Sequence, residues 1–128
     1  MKLLFDTHTF IWWDSEPERL PADLLALCQD PTHRLILSVA SVWEMQIKLQ
    51  LGKLALKKPL AELIADQQEA NGVEVLPVTL EHVLALDRLP AHHRDPFDRL
   101  LISQTLVEDT LLLTRDPAIV LYDVETRW

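Results

Sequence analysis

Short apolar runs alternate with longer stretches of helical periodicity along the chain. Apolar runs at residues 3–5, 35–37, 73–78 and 110–113 predict buried strands, and a run at 119–122 predicts a last short strand. Apolar spacing of three and four predicts helices over residues 7–13, 21–29, 39–51, 60–71, 79–89 and 95 to about 108. Strands that alternate with helices predict an α/β fold with a mainly parallel sheet.

The composition fits one globular unit. The chain has 128 residues, of which 48% are hydrophobic, and no linker or repeat interrupts it, so we expect a single domain over residues 1–128. The lone cysteine, Cys28, excludes an internal disulfide and fits a reducing compartment. No apolar stretch is long enough for a bilayer and no signal peptide is evident, which predicts a cytoplasmic protein with no membrane partner.

The charge balance is acidic. Twelve Lys and Arg face twenty Asp and Glu, for a formal net charge of −8. Proteins that bind nucleic acid through a broad basic face neutralise phosphates with Lys and Arg, so this class is disfavoured. The distribution of the acids therefore matters more than their number.

Five acids fall at the ends of predicted strands or the starts of the following helices. These are Asp6, Glu44, Asp95, Asp98 and Asp116. In an open parallel sheet, the carboxyl ends of the strands and the amino ends of the next helices share one edge, where ligands bind. The pattern predicts that these five carboxylates meet at that edge.

Helix capping is the alternative interpretation for most of these acids taken one at a time. Asp95-Pro96 and Asp116-Pro117 each resemble an N-cap followed by proline, and Asp98 would occupy the third helical position. Residues 41–44 match a capping box, and Glu44 is also spaced to pair with Lys48.

Capping does not explain Asp6, nor a collection of acids with no matching cations. Two carboxylates about 5 Å apart repel by about 3 kcal/mol at an effective dielectric of 20. A divalent cation removes this repulsion, and ligands that are all oxygen suit Mg²⁺ or Mn²⁺. The cluster as a whole therefore favours a metal site.

Four sequence blocks resemble PIN domains. They are residues 3–8 (LLFDTH), 38–44 (SVASVWE), 93–102 (HRDPFDRLLI) and 113–116 (LTRD), and they occur in the family's order and approximate spacing. The chain is most similar to VapC-type ribonuclease toxins of type II toxin–antitoxin modules, and the match covers nearly all of it. The resemblance implies a three-layer α/β/α sandwich around a mainly parallel sheet of four to five strands.

The resemblance also implies roles for the acids. Asp6, Glu44, Asp98 and Asp116 correspond to the catalytic, metal-binding acids of the family, while Asp95 is an additional acid that is either a cap or an outer ligand. The implied reaction is hydrolysis of RNA phosphodiester bonds with one or two Mg²⁺ or Mn²⁺ ions. Asp6 and Asp98 are the first candidates for direct ligands.

Substrate contacts are expected beside the acids, and partners are implied by the resemblance. The candidate contacts are Thr7, Arg94, Arg99, Thr114 and Arg115, with His92 and His93 on the preceding loop. The alternative for the arginines is neutralisation of the neighbouring acids. The implied partners are an RNA substrate, a cognate VapB-type antitoxin whose tail covers the site, and a second copy of the chain in a homodimer.

Other patterns have plainer interpretations. A basic stretch at Lys48, Lys53, Lys57 and Lys58 is typical of a solvated face. The five histidines have no zinc-ligand spacing with Cys28, so no zinc site is expected. One of the adjacent Trp12 and Trp13 is expected in the core and the other at an interface.

Two other functional classes can be compared with the sequence. The first is a catalytically inactive PIN-fold module that only binds other proteins. The second is a receiver-type phosphotransfer domain. That class requires an adjacent pair of Asp residues after the first strand and a Lys after the last, and the sequence has neither.

Overall fold

The computed structural model describes all 128 residues and contains one five-stranded sheet in the order β3-β2-β1-β4-β5. The strands are β1 (Lys2–Phe5), β2 (Arg34–Ser38), β3 (Glu74–Leu76), β4 (Leu111–Leu113) and β5 (Thr126–Arg127). Every neighbouring pair runs parallel. The mainly parallel sheet predicted from the sequence is confirmed.

Seven helices connect the strands. They are α1 (Thr7–Ser15), α2 (Ala22–Gln29), α3 (Val39–Gln50), α4 (Leu60–Asn71), α5 (Leu80–Ala85), α6 (Pro96–Glu108) and α7 (Pro117–Val120). Two 3₁₀ turns, Pro17–Arg19 and Leu86–Arg88, follow α1 and α5. No helix of this fold combines the length and the apolar character that a membrane crossing demands.

The helices form separate layers on the two faces of the sheet. Leu3 and Phe5 of β1 belong to one apolar core, which also contains buried residues of α1, α2, α3 and α4. Leu4 points to the opposite face and belongs to a second core with residues of α6 and α7. Because successive side chains of a strand alternate between faces, one apolar strand serves both cores. The three-layer α/β/α arrangement is confirmed.

Two local expectations, a strand at residues 119–122 and a capping box at 41–44, were wrong. Residues 119–122 do not form a strand: Asp116 caps helix α7, Pro117 begins it, and Ile119 packs fully buried in the second core. The last strand is Thr126–Arg127 instead. The capping box at 41–44 is absent because Ser38 caps α3 and accepts a hydrogen bond from the backbone of Ala40.

The predicted helix over residues 79–89 is also shorter than expected. Thr79 and His82 form a capping box at its start, but after Ala85 the helix tightens into the 3₁₀ turn Leu86–Arg88. The region after this turn, residues 89–95, leads to the carboxyl edge of the sheet, where the acids lie.

Candidate metal centre

Asp6 lies at the centre of this edge. It follows β1, the middle strand, and precedes α1, yet its side chain makes no capping hydrogen bond. Instead the Thr114 hydroxyl, which follows β4, donates to Asp6 Oδ2 at 2.7 Å. The carboxyl group is almost fully buried. Capping does not account for this residue, as its sequence position indicated.

Glu44 approaches the same edge from α3. Its Oε2 is 2.8 Å from the ammonium group of Lys48, one turn further along the helix, which confirms the predicted pair. Its Oε1 is buried and has no hydrogen-bond partner. A buried carboxylate oxygen without a partner is costly, so this atom is the strongest structural indication that a cation belongs here.

Asp95 and Asp98 both sit at the start of α6. Asp95 Oδ1 accepts hydrogen bonds from the backbone N–H groups of Phe97 and Asp98, so the predicted cap is present. Asp98, on the first turn, has its Oδ2 2.8 Å from His93 Nε2. Asp95 as an outer metal ligand stays a prediction.

Asp116 completes the cluster from the loop after β4. Its Oδ1 accepts a hydrogen bond from the Ala118 N–H and caps α7, while its Oδ2 is 3.5 Å from His93 Nε2. His93, Asp98 and Asp116 offer ligand atoms that all lie within 4.8 Å of one another. Asp116 therefore both caps α7 and belongs to the cluster of acids.

The protein fixes each of these acids through one oxygen. Thr114 anchors Asp6, Lys48 anchors Glu44, His93 anchors Asp98, and the α7 backbone anchors Asp116. The second oxygen of Glu44 is left without a partner. Carboxylates held in this way keep their orientation without using all of their acceptor capacity, which is how a metal site is prepared.

Burial and repulsion between the carboxylates raise the pKa values of Asp6 and Asp98. Burial raises the pKa of Asp6, the charges of Glu44 and Asp116 raise it further, and the Thr114 hydrogen bond opposes the shift. Burial, followed by the charges of Asp6 and Asp95, raises the pKa of Asp98 to about 7. Without a cation, the cluster therefore retains a proton near neutral pH.

His93 donates a hydrogen bond to the cluster. Its Nδ1 accepts a hydrogen bond from the Arg94 backbone N–H at 3.0 Å, so the ring proton resides on Nε2, the atom that faces Asp98. In this tautomer His93 orients Asp98 through a hydrogen bond, and the other groups offered to a cation here are carboxylate oxygens. An all-oxygen ligand set stays a prediction.

From the sequence, His93 was predicted only as a candidate RNA contact. Its place two residues before the Asp95 cap does not by itself bring the ring to Asp98. The loop conformation itself depends on Tyr122, whose hydroxyl accepts hydrogen bonds from the His93 backbone and from Arg99.

The predicted substrate contacts occupy different surroundings. Thr7 is buried and donates to the Ser41 hydroxyl, and Thr114 is buried and bonds to Asp6, as expected for a residue beside an acid. Arg99 donates to the Pro90 carbonyl, and Arg94 is exposed. Arg115 lies over the Trp12 ring. None of the three arginines forms an ion pair with Asp95, Asp98 or Asp116; His93 occupies that position instead.

The two adjacent tryptophans are placed differently. Trp13 stacks on Phe5, with ring centroids 4.9 Å apart, and packs against the first core. Trp12 is half-buried between the guanidinium groups of Arg19 and Arg115. Trp43, next to Glu44, is 60% exposed and makes an edge contact with Phe97.

Two curated proteins are similar to this chain in sequence, and solved structures are similar to it in fold. Over 117 residues the chain is 28% identical to ribonuclease VapC22 of Mycobacterium tuberculosis, covering 89% of this chain and 86% of that protein. It is 37% identical to ribonuclease VapC16 of the same organism over 68 residues, which span 50% of this chain and 48% of VapC16. The VapBC2 crystal structure from Rickettsia felis, bound to a promoter DNA fragment, gives a TM-score of 0.73 at 13% identity, covering 99% of this chain and 98% of that one.

At 13% identity the likeness to the Rickettsia structure is one of fold alone. The family match is more direct, because the PIN domain model matches residues 3–125, which include nearly all of β1, all of β2, β3 and β4, both helical layers and all five acids. The chain belongs to the PIN domain family.

Proposed function

We propose that this chain is the cytoplasmic toxin of a type II toxin–antitoxin pair and a Mg²⁺- or Mn²⁺-dependent endoribonuclease. The observation that carries the proposal is the buried Oε1 of Glu44, which has no partner and belongs to a cluster of acids at the carboxyl edge of a PIN domain. The ribonuclease names of VapC22 and VapC16 support RNA as the substrate.

Oxygen donors from Asp6, Glu44, Asp98 and Asp116 would hold the cation, and Asp95 is a candidate for an outer position. When bound, Mg²⁺ or Mn²⁺ would neutralise the carboxylates and act as a Lewis acid toward the RNA phosphodiester. The chain's own contribution is orientation. Thr114, Lys48 and His93 fix one oxygen on each of three acids, so these carboxylates need little rearrangement.

The partners in this proposal are an antitoxin and a second copy of the chain. The fold neighbour from Rickettsia felis is described as a VapBC2 assembly on promoter DNA, which supports a toxin–antitoxin setting. A short gene immediately upstream that encodes a DNA-binding protein would identify the antitoxin.

Incubation of the purified chain with total cellular RNA tests the proposal. We expect endonucleolytic fragments with millimolar Mg²⁺ or Mn²⁺ and none in excess EDTA. Intact RNA in both conditions, together with no thermal shift on addition of the metal, would instead identify an inactive interaction module.

Substitution of His93 tests its role as an orienting donor. His93→Leu removes the Nε2 hydrogen bond to Asp98, and we expect Mn²⁺ affinity to fall about 10- to 100-fold by isothermal titration calorimetry. His93→Gln, whose amide donates from a similar position, should retain affinity for both metals. If His93→Gln instead loses Mn²⁺ affinity while Mg²⁺ affinity is unchanged, the imidazole is a metal ligand and the donor role is wrong.

A further inference from the structure

Two adjoining cavities run from the acids across the side chain of Trp12. The smaller has a volume of about 290 Å³, and Asp6 and Asp116 line its inner end. The larger, of about 650 Å³, is lined by the lysines of the basic stretch at Lys48, Lys53 and Lys57. His8 and Trp12 line both cavities. Because they share these two residues the cavities adjoin, and together they are here named the Trp12 trench, which begins at the candidate metal centre.

Cations are concentrated around the Trp12 trench. Five of the chain's twelve Lys and Arg residues lie there: Arg19, Lys48, Lys53, Lys57 and Arg115. Lys48 is paired with Glu44, and Arg19 with Glu16. The other three form no ion pair with the protein. Glu16 and Glu18 also line the larger cavity, and Arg115 lies over the rings of Trp12 and Trp128. In a chain of net charge −8, three cations without an ion-pair partner close to the acids suit a ligand with repeated negative charges.

Trp12 provides an aromatic surface among these cations. The guanidinium carbons of Arg115 and Arg19 lie 4.5 and 5.3 Å from its ring centroid, and the His8 ring is 6.1 Å away. Proteins that bind single-stranded RNA combine aromatic side chains and arginine planes, on which bases stack, with cations that contact the phosphates. The Trp12 trench has both elements.

We propose that the Trp12 trench binds the single-stranded RNA segment next to the cleaved phosphodiester. Lys53, Lys57 and Arg115 contact successive phosphates, and one base packs against Trp12. This inference rests on the proposed ribonuclease function. RNA combines repeated phosphates, which match the unpaired cations, with bases that stack on an aromatic ring, whereas a peptide would need both repeated acidic side chains and a group that packs on Trp12. This combination favours RNA over a protein segment as the occupant.

Binding measurements on a non-cleaving background test the Trp12 trench. Fluorescence anisotropy with a labelled single-stranded RNA of about twelve nucleotides would be recorded over a range of salt concentrations for the full chain carrying Asp98→Asn. Adding Lys53→Gln and Lys57→Gln is expected to weaken binding about tenfold and to reduce the salt slope by about 1.4, from two lost phosphate contacts. The control adds Lys2→Gln and Arg88→Gln, the same charge change on other surfaces, and should leave both quantities unchanged.

A small substrate separates this inference from the proposed function. Bis(p-nitrophenyl) phosphate is too short to extend along the trench, so with Mn²⁺ its hydrolysis reports on the acids alone. We expect equal hydrolysis by the wild-type chain and by the Lys53→Gln, Lys57→Gln variant on the wild-type background.

The outcomes are distinct. If the trench variant binds RNA as tightly as the control, the inference is wrong, and preserved hydrolysis of the small diester leaves the ribonuclease function standing. If the trench variant loses affinity for the purified antitoxin but not for RNA, the Trp12 trench is a protein-binding site, which also overturns the inference. If the wild-type chain neither hydrolyses the diester nor binds RNA, both proposals fall.

Discussion

Under the proposed function, Asp98→Asn is expected to reduce metal-dependent RNA cleavage by about a thousandfold, because it removes a charged ligand of the cation that acts on the phosphodiester. Loss of this contribution costs several kcal/mol in the transition state, and each 1.36 kcal/mol is about tenfold in rate. The asparagine oxygen still accepts the hydrogen bond from His93, so the fold and the His93 loop should be retained. Single-turnover cleavage of a defined RNA, together with growth after induction, measures the effect.

The matched control is Asp87→Asn, the same change at an acid in the 3₁₀ turn after α5, outside the cluster. It should cleave RNA and arrest growth like the parent. Asp6→Asn should behave like Asp98→Asn, since its oxygen still accepts from Thr114. If both Asp6→Asn and Asp98→Asn remain as active as the parent, the site is assigned wrongly.

The stability of the metal-free protein is expected to fall as the pH rises from about 5.5 to 8. Burial and neighbouring charges raise the pKa of Asp98 to about 7 from an ordinary value of 3.8, so between these values the folded state holds a proton that the unfolded state has lost. Stability decreases with pH wherever the folded state binds more protons. Because Asp98 is partly exposed, solvent screening reduces this contribution to about 1–2 kcal/mol.

A divalent cation should reverse this loss. At a concentration one hundred times its Kd, a ligand of the folded state adds about 2.7 kcal/mol of stability, or about 10 °C in Tm for a chain of this length. The cation competes with the proton on Asp98, so the gain should be larger at pH 8 than at pH 5.5. Thermal unfolding with MgCl₂ or MnCl₂, against NaCl of equal ionic strength, measures both effects.

Asp98→Asn isolates the contribution of this carboxyl group. The variant should lack the Asp98 part of the pH dependence and gain much less stability from the cation. The lowered pKa values of Asp30 and Glu74 act in the opposite direction, but only in more acidic solutions, below the range compared. A wild-type Tm that rises from pH 5.5 to 8 by the same amount as that of Asp98→Asn would contradict the prediction.

Most helices and strands could be predicted because their ends are determined locally. Helix α4 spans the predicted residues 60–71 because proline precedes it and Gly72, with φ of +67°, ends it in a left-handed conformation. Helix α6 begins as predicted because Asp95 caps it and Pro96 fits its first turn. These signals require no knowledge of the rest of the fold.

The C-terminal strand could not be predicted because its pairing is a tertiary effect. Thr126 and Arg127 have no apolar pattern, and β5 exists only through backbone pairing with Leu112 and Leu113. The apolar run at 119–122 gave a stronger strand signal, but a run this short does not distinguish a strand from a buried helical turn. The cap that Asp116 provides and the burial of Ile119 stabilise the helix instead of a strand.

Some features of the candidate site could likewise be predicted from the sequence, and others could not. The acids could be placed at one edge because the topology of a parallel sheet brings the ends of β1, β2 and β4 together. The contact of His93 with Asp98 could not be predicted from the sequence, because the loop that carries His93 is held by Tyr122, 29 residues away in sequence. The hydrogen bond between His93 and Asp98 is therefore visible only in the folded structure.

The hydrogen bond between Thr114 and Asp6 has a consequence for synthesis of the chain. The two residues are 108 positions apart, and β4 must pair with β1 before Thr114 reaches Asp6 and Asp116 joins the other acids. A nascent chain that has been made only as far as β3 lacks Asp98, Thr114 and Asp116. Under the proposed function, the nuclease is therefore inactive until β4 has been made and has paired with β1.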